Sequence, residues 1–161
     1  LASDVGAIAS AAQLAGNLRF ARQAEDEGAR LVSGGERILE ETGGFYQRPA
    51  IFDRVSQEMT LAREEVFGPL LAVIAFDEEA DAVRLANATE YGLASAVWTS
   101  SLSTAHRMVR AVRAGIVHVN TYGGSDLTVP LGGHRQSGNG HDKSLHALEK
   151  YTALKTAWIQ L

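Results

Sequence analysis

The sequence predicts an α/β protein in which parallel strands are joined by helical crossovers, and three observations carry that reading. Leu70 to Phe76 (LLAVIAF) is a continuous apolar run, the pattern of a strand covered on both faces. Two shorter apolar runs follow, Ala94 to Trp98 and Ile116 to Val119. Stretches of helical periodicity separate all three, which gives a βαβαβ order. Crossovers of this length bring parallel strands together in one layered sheet and are nearly always right-handed.

The first element reads as a helix, because Ile8, Ala11, Leu14, Leu18 and Ala21 recur at three- and four-residue steps. Gly28, after the charged run Glu25-Asp26-Glu27, fits the residue just past its end. Gly6 and Gly16 weaken the pattern, each costing about 1 kcal/mol against alanine. After Gly34-Gly35, Phe45-Tyr46 and Ile51-Phe52 flank Pro49, which points to an extended edge or an irregular path. Asp77 is placed to cap a helix whose face carries Ala80, Val83 and Ala86. The next helix starts near Ser101, presents Leu102, Ala105, Met108, Val109 and Val112 inward, and is expected to end at Gly115. From Asn120 to Gly140 the chain is glycine-rich and aperiodic. A short helix is expected from about Asp142 to Lys150. Tyr151 to Leu161 then alternates β-branched, aromatic and polar residues as a final strand whose edges need a partner, such as another chain.

The 161 residues suffice for one domain with a real core. A composition of 45% hydrophobic and 21% charged residues is that of an ordinary globular protein. No run approaches the roughly eighteen apolar residues of a membrane span. The net charge of −4 is mild and mixed along the chain, which argues against a nucleic-acid surface. With no cysteine, this chain offers no disulfide, thiolate metal site or thiol nucleophile, and a reducing, cytoplasmic setting is the expectation. Leu1 is not an initiator methionine, and Leu1 to Asp4 lacks the features of a signal peptide. A processed product, an excised domain or a partial sequence are the expected origins.

Several motifs favour a bland reading. Gly133 and Gly138 have the spacing that opens a P-loop, yet Asn139-Gly140 stands where Lys-Ser or Lys-Thr is needed. Tight-turn geometry is therefore the better account of those glycines. His141 and His146 are five apart, off the four-residue step of one helical face, and no acidic cluster flanks the histidines, so no metal site is expected. The GxSxG elbow of a serine hydrolase is absent.

The segment Arg63-Glu64-Glu65-Val66-Phe67-Gly68-Pro69 carries more. A carboxylate at a strand entrance suits sugar hydroxyls, and a nearby phenyl ring suits a planar heterocycle. Glu64 to Pro69 resembles the E-E-x-F-G-P signature of the aldehyde dehydrogenase superfamily. Asn87 to Ala94 (NATEYGLA) is similar to that family's N-x-x-x-Y-G-L-A segment, and Gly115 to Asn120 (GIVHVN) to its G-x-V-x-V-N strand. Pro130 to Gly138 (PLGGHRQSG) is similar to its P-F-G-G-x-K-x-S-G loop, departing at Leu131 and Arg135. Pro49-Ala50-Ile51-Phe52 looks like its P-T-I-F. The segments stand in family order across essentially the whole chain. Asp126 to Ile159 looks closest to the γ-glutamyl-γ-aminobutyraldehyde dehydrogenases of bacterial putrescine degradation.

The resemblance implies an oxidoreductase that converts an aldehyde to a carboxylic acid with NAD or NADP. In the family a cysteine thiolate attacks the aldehyde, hydride passes to nicotinamide, and a glutamate-activated water hydrolyses the thioester. The cysteine, the general base and the dinucleotide-binding half lie in the family before the segment corresponding to Leu1. The resemblance therefore implies that residues 1–150 are the C-terminal portion of the catalytic domain and 151–161 an oligomerisation strand. No catalytic residue is carried over. Glu65 corresponds to the glutamate that holds the nicotinamide ribose, and Phe67 to the aromatic beside the nicotinamide. The loop Tyr122, Gly123, Gly124, Ser125, Asp126, Leu127 and Thr128 corresponds to the segment lining the aldehyde entrance. Tyr151 to Leu161 corresponds to the strand that joins a neighbouring subunit, so a homo-oligomer is implied. The isolated chain is expected to be inactive and to bind no cofactor tightly. A non-catalytic assembly module is the rival expectation.

Overall fold

Ser10 starts the first helix, α1 (Ala11–Asp26): its backbone is extended and its hydroxyl accepts from Gln13 N at 3.1 Å, which satisfies one free N–H of the first turn. At the other end Gly28, with φ of 101°, donates to Glu25 O, and Ala29 N donates to Ala24 O, both at 2.9 Å. This pair of bonds is a Schellman motif, and the positive φ is why glycine stands there. The computed structural model describes residues 5–124 and 126–161. They form two compact units, one ending at Asp77 and one beginning at Glu78.

In the first unit, β1 (Arg30–Ser33), β4 (Ala50–Asp53) and β5 (Leu70–Ala72) form a sheet in the order β1-β4-β5. The first pairing is antiparallel and the second parallel, with Ala50, Ile51 and Phe52 opposite Leu70, Leu71 and Ala72. A small hairpin of β2 (Arg37–Ile38) and β3 (Tyr46–Gln47) lies between β1 and β4 in sequence. Along β4, Ala50 and Phe52 are buried while Ile51 is exposed, the period-two alternation of a sheet with one covered face. Phe52 is the fully buried centre of a core built with Ala21, Ala24, Ala29, Val55 and Leu61. The last of these sits on a one-turn helix, α2 (Thr60–Arg63).

The second unit holds α3 (Glu79–Asn87), β6 (Ala94–Val97), α4 (Leu102–Ala111) and β7 (Ile116–Val119). β6 and β7 pair in parallel, Ala94 opposite Ile116 through Val97 opposite Val119, and α4 is the connection between them. Ser101 caps α4 by accepting from Thr104 N at 3.2 Å, and Ala105, Met108 and Val112 are buried on its inner side. Arg107 reaches α3 with both ends of its guanidinium fork, to Glu79 Oε1 at 2.7 Å and Oε2 at 2.6 Å.

Five expectations from the sequence need correction. The single βαβαβ sheet is replaced by separate ladders, because β5 takes β4 as its neighbour while β6 and β7 pair with each other. The strand in Leu70–Phe76 is also shorter and one-sided: Leu70, Ala72 and Ile74 pack on the core, whereas Leu71, Val73 and Phe76 are exposed. α3 is preceded by Glu78, not Asp77, at its cap position, with no side-chain capping bond. α4 stops at Ala111, and Gly115 serves the start of β7, where a Cβ would collide with the carbonyl of Gly132. The last helix is a 3₁₀ segment, Leu145–Tyr151. Beyond it, Thr152 to Leu161 forms no strand within the chain and is exposed throughout, since a strand needs a partner's N–H and C=O groups.

Candidate cofactor-facing site

The segment from Thr60 to Gly68 is fastened to α1 at two places. At its start, the Glu27 carboxylate accepts from Thr60 N at 2.7 Å and from Thr60 Oγ1 at 2.6 Å. The hydroxyl bond is the main reason the Glu27 carboxyl is held below its ordinary range, with the backbone bond second. At its end, Gln13 Nε2 donates to Val66 O at 2.9 Å and to Asn17 Oδ1 at 2.8 Å. Asn17 Nδ2 donates to Gln47 Oε1 at 3.0 Å, and Gln47 Nε2 to Gly35 O at 3.1 Å. Asn17 is fully buried and Gln47 nearly so. Every amide in this relay finds a partner, as buried polar groups must.

Glu65 and Phe67 project from this anchored segment. Glu65 is exposed, and its carboxylate makes no hydrogen bond or ion pair among the described residues. Phe67 is 76% exposed, with φ of 53°. A phenylalanine in the left-handed region is an outlier, held there only by its surroundings. Gly68 follows, so close to α1 that a Cβ would lie 2.5 Å from three side-chain atoms of Asn17. Chemically, the unpartnered Glu65 carboxylate is able to accept hydrogen bonds and the open face of Phe67 to pack against a planar ring.

The predicted aldehyde-entrance loop lies in the second unit. Tyr122 and Leu127 are largely exposed, and Gly123 and Gly124 have φ of 85° and 89°. Ser125 lies outside the described residues. The Asp126 carboxylate accepts from Thr128 N and Thr128 Oγ1, each at 2.8 Å, and the backbone bond first of all holds its carboxyl below the ordinary range. Leu127 O accepts from Ser144 N at 2.8 Å, and the Tyr122 ring lies 5.8 Å from that of His118 on β7. Of this loop, Gly124 and Asp126 border a cavity of about 450 Å³ whose wall also includes Ile116, His118, Val129 and Leu131.

The glycine-rich loop after Pro130 spends its donors on its own unit. His134 N donates to Gly92 O, Gln136 N to Glu90 O, and Ser137 Oγ accepts from Gly92 N at 3.0 Å. Arg135 Nη1 donates to the carbonyls of Asn87 and Thr89. Gly132 is needed because a Cβ would sit 2.5 Å from Gly140 O. Of the two glycines given a turn reading, Gly138 takes a φ of 103°, and a Cβ on Gly133 would lie 2.6 Å from Ser137 Cβ. Among the described residues no group of three or more His, Cys, Asp or Glu converges on a metal position. Nor is any helix long and apolar enough to cross a membrane.

The sequence reading missed Gln13, Asn17 and Gln47. A signal for one of them existed. Asn17 falls on the stripe Leu14, Asn17, Ala21, Ala24, and a polar residue on a buried helical face demands a partner.

Comparison with known proteins places this geometry in a wider setting. The profile of the Aldehyde dehydrogenase family matches residues 2–157. The NADP/NAD-dependent aldehyde dehydrogenase PuuC of Escherichia coli (strain K12) is 48% identical over 160 residues, 99% of this chain and 32% of that protein. A crystal structure of an indole-3-acetaldehyde dehydrogenase complexed with NAD⁺ is 54% identical with a TM-score of 0.94, covering 99% of this chain and 32% of that one. A γ-glutamyl-γ-aminobutyraldehyde dehydrogenase from Burkholderia cenocepacia is 55% identical with a TM-score of 0.90, covering 94% and 30%. The chain thus spans about a third of the length of the relatives it matches.

Proposed function

The chain belongs to the aldehyde dehydrogenase family, and from that premise we propose that it supplies one wall of the active site of an NAD(P)⁺-dependent aldehyde oxidation. The carrying observation is the pair Glu65 and Phe67, exposed and without polar partners on a segment anchored from below. Bound NAD(P)⁺ supplies the hydride acceptor. Glu65 accepts hydrogen bonds from the nicotinamide ribose, Phe67 packs beside the ring, and the loop Tyr122–Thr128 lines the aldehyde entrance. Likeness to the γ-glutamyl-γ-aminobutyraldehyde dehydrogenase supports a substrate of that class, and putrescine breakdown in the cytoplasm is the setting this proposal assigns to it.

Within this reading, residues 1–150 are catalytic-domain material and 151–161 an assembly strand. The exposure of Leu154, Trp158, Ile159 and Leu161 supports a homo-oligomeric contact there. The 161 residues contain no cysteine, so they hold no thiolate to attack an aldehyde, and the chain by itself is inactive. One ribose contact and one aromatic leave NAD⁺ weakly held.

The test uses two proteins. Purified chain with NAD⁺ and γ-aminobutyraldehyde-type substrates gives no turnover above buffer, and calorimetry gives no dissociation constant in the low micromolar range. A chimera in which this chain replaces the matching third of PuuC oxidises the aldehyde, and Glu65→Gln or Phe67→Ala in it raises KM for NAD⁺. Turnover by the chain alone, or a chimera indifferent to both substitutions, refutes the proposal. Light scattering checks the assembly strand, and a strict monomer refutes it.

A further inference from the structure

Beyond Glu65 and Phe67 themselves, we propose that Asn17, wired through Gln13 and Gln47, is the positioning residue that fixes the nicotinamide-facing segment. This inference rests on the cofactor reading above. Residues Glu64 to Gly68 form no helix or strand, so no ladder of backbone bonds holds them. At the Phe67 end Leu70 N donates to Gly68 O at 2.9 Å and Val66 packs on the core, and two further fixings reach α1: the Gln13 Nε2 bond to Val66 O, and the contact of Gly68 with the Asn17 amide. Both lead to the same side chain, because Asn17 Oδ1 receives the second hydrogen of Gln13 Nε2 at 2.8 Å and so orients that amide.

Asn17 is in turn held from behind. Its Nδ2 donates to Gln47 Oε1, and Gln47 Nε2 donates to Gly35 O, while Gly35 N donates to Arg48 O at 3.0 Å. The relay thus runs from backbone to backbone, Gly35 O to Val66 O, through three amides. Each amide has one acceptor oxygen and one donor nitrogen, so reversing any one would set donor against donor or acceptor against acceptor along the line. The arrangement therefore has one polarity and one register.

Packing alone does not require this. The Asn17 position lies on the stripe with Leu14, Ala21 and Ala24, where an apolar residue would be accommodated beside the core. A buried asparagine at such a place costs desolvation unless fully bonded, and what its bonds deliver is the position of Val66 and Gly68 on either side of Phe67. The left-handed backbone of Phe67 is the conformation that this double anchoring sustains.

The test is Asn17→Leu in the PuuC chimera, with Phe52→Leu as a core control in the same unit. Asn17→Leu is expected to raise KM for NAD⁺ about five- to tenfold, the scale of one lost hydrogen bond's ordering, with KM for aldehyde within about twofold. Phe52→Leu lowers the melting temperature without moving KM for NAD⁺. In the 161-residue chain, backbone order parameters for residues 64–68 are expected to fall from about 0.85 to below about 0.6 in Asn17→Leu. An unchanged KM for NAD⁺, or a rise matched by the Phe52→Leu control, overturns the positioning role. If Glu65→Gln and Phe67→Ala also leave KM for NAD⁺ alone, the cofactor reading fails with it. If those two raise it and Asn17→Leu does not, only the positioning role fails. Should the chimera not fold, unchanged order parameters in the chain overturn the proposal.

Discussion

Gly68→Ala is the substitution whose effect the structure determines most directly. Gly68 does not have a positive φ, so alanine is not excluded by backbone conformation. Reduced freedom of the unfolded chain would even favour alanine by about 0.4–1 kcal/mol. Against that, its Cβ would sit 2.5 Å from Cγ, Nδ2 and Oδ1 of Asn17. Asn17 has no room to retreat, being fully buried and tied to Gln13 and Gln47. Relieving the overlap costs about 1–3 kcal/mol in overpacking. It also breaks at least one buried amide bond, which costs about 1–3 kcal/mol more. The expected net loss centres on about 3 kcal/mol, read as a lower urea midpoint by circular dichroism at neutral pH. Asn17→Ala in the same chain opens the space that the new methyl needs, so the double variant should be more stable than the sum of the singles by at least about 1 kcal/mol. A neutral or stabilising Gly68→Ala, or strict additivity with Asn17→Ala, would refute the reasoning.

Other expectations follow the same logic. Phe52→Ala empties the centre of the first unit's core and should cost about 3–5 kcal/mol in urea unfolding; a loss below 1 kcal/mol would mean that the core collapses around it. Asn120 accepts from Thr99 N at 2.8 Å and donates to Thr99 O at 2.9 Å, so Asn120→Ala should cost about 1–2 kcal/mol, whereas Asn120→Asp keeps the acceptor and loses less. Hydrogen bonds from Arg30, Arg107 and Lys150 hold the carboxyls of Asp53, Glu79 and Asp142 below their ordinary range. A carboxyl whose pKa is lower in the folded state binds fewer protons there than in the unfolded chain. Its contribution is complete above the ordinary value of about 4 and fades as pH falls through the lowered one. The urea midpoint should therefore drop below about pH 4, less steeply in Glu79→Gln, and a midpoint constant down to pH 3 would contradict this.

Local signals are legible where the chain answers to its neighbours along the backbone. Gly28 and Ser101 stand at helix ends as the sequence predicts, and Ile116–Val119 is a strand with the expected bounds. Partner choice was not legible. Pro49 made the region before β4 look irregular, yet it stands just outside the strand, where its missing N–H is not needed, and the ladder begins with Ala50 N donating to Pro69 O at 2.8 Å. The stretch holding Ile51-Phe52 reads as extended, but nothing local marks it as the partner of β5. For the site, Glu65 and Phe67 stood out through a resemblance, while the amides beneath them lie 53 and 30 residues from their partners. No window of local sequence contains such a pairing.

The bareness of the last ten residues has an optical consequence. The chain has two tryptophans, Trp98 and Trp158, and both are mostly in water, at 64% and 92% exposure. Their fluorescence should be red-shifted and readily quenched by acrylamide even in the folded state, so emission would report little of the core. It would instead report on the tail. Docking of that segment against a second chain would shift the Trp158 band to the blue and shield it from quencher, while Trp158→Phe would leave Trp98 as a constant background. Assembly could then be followed in real time with no added label.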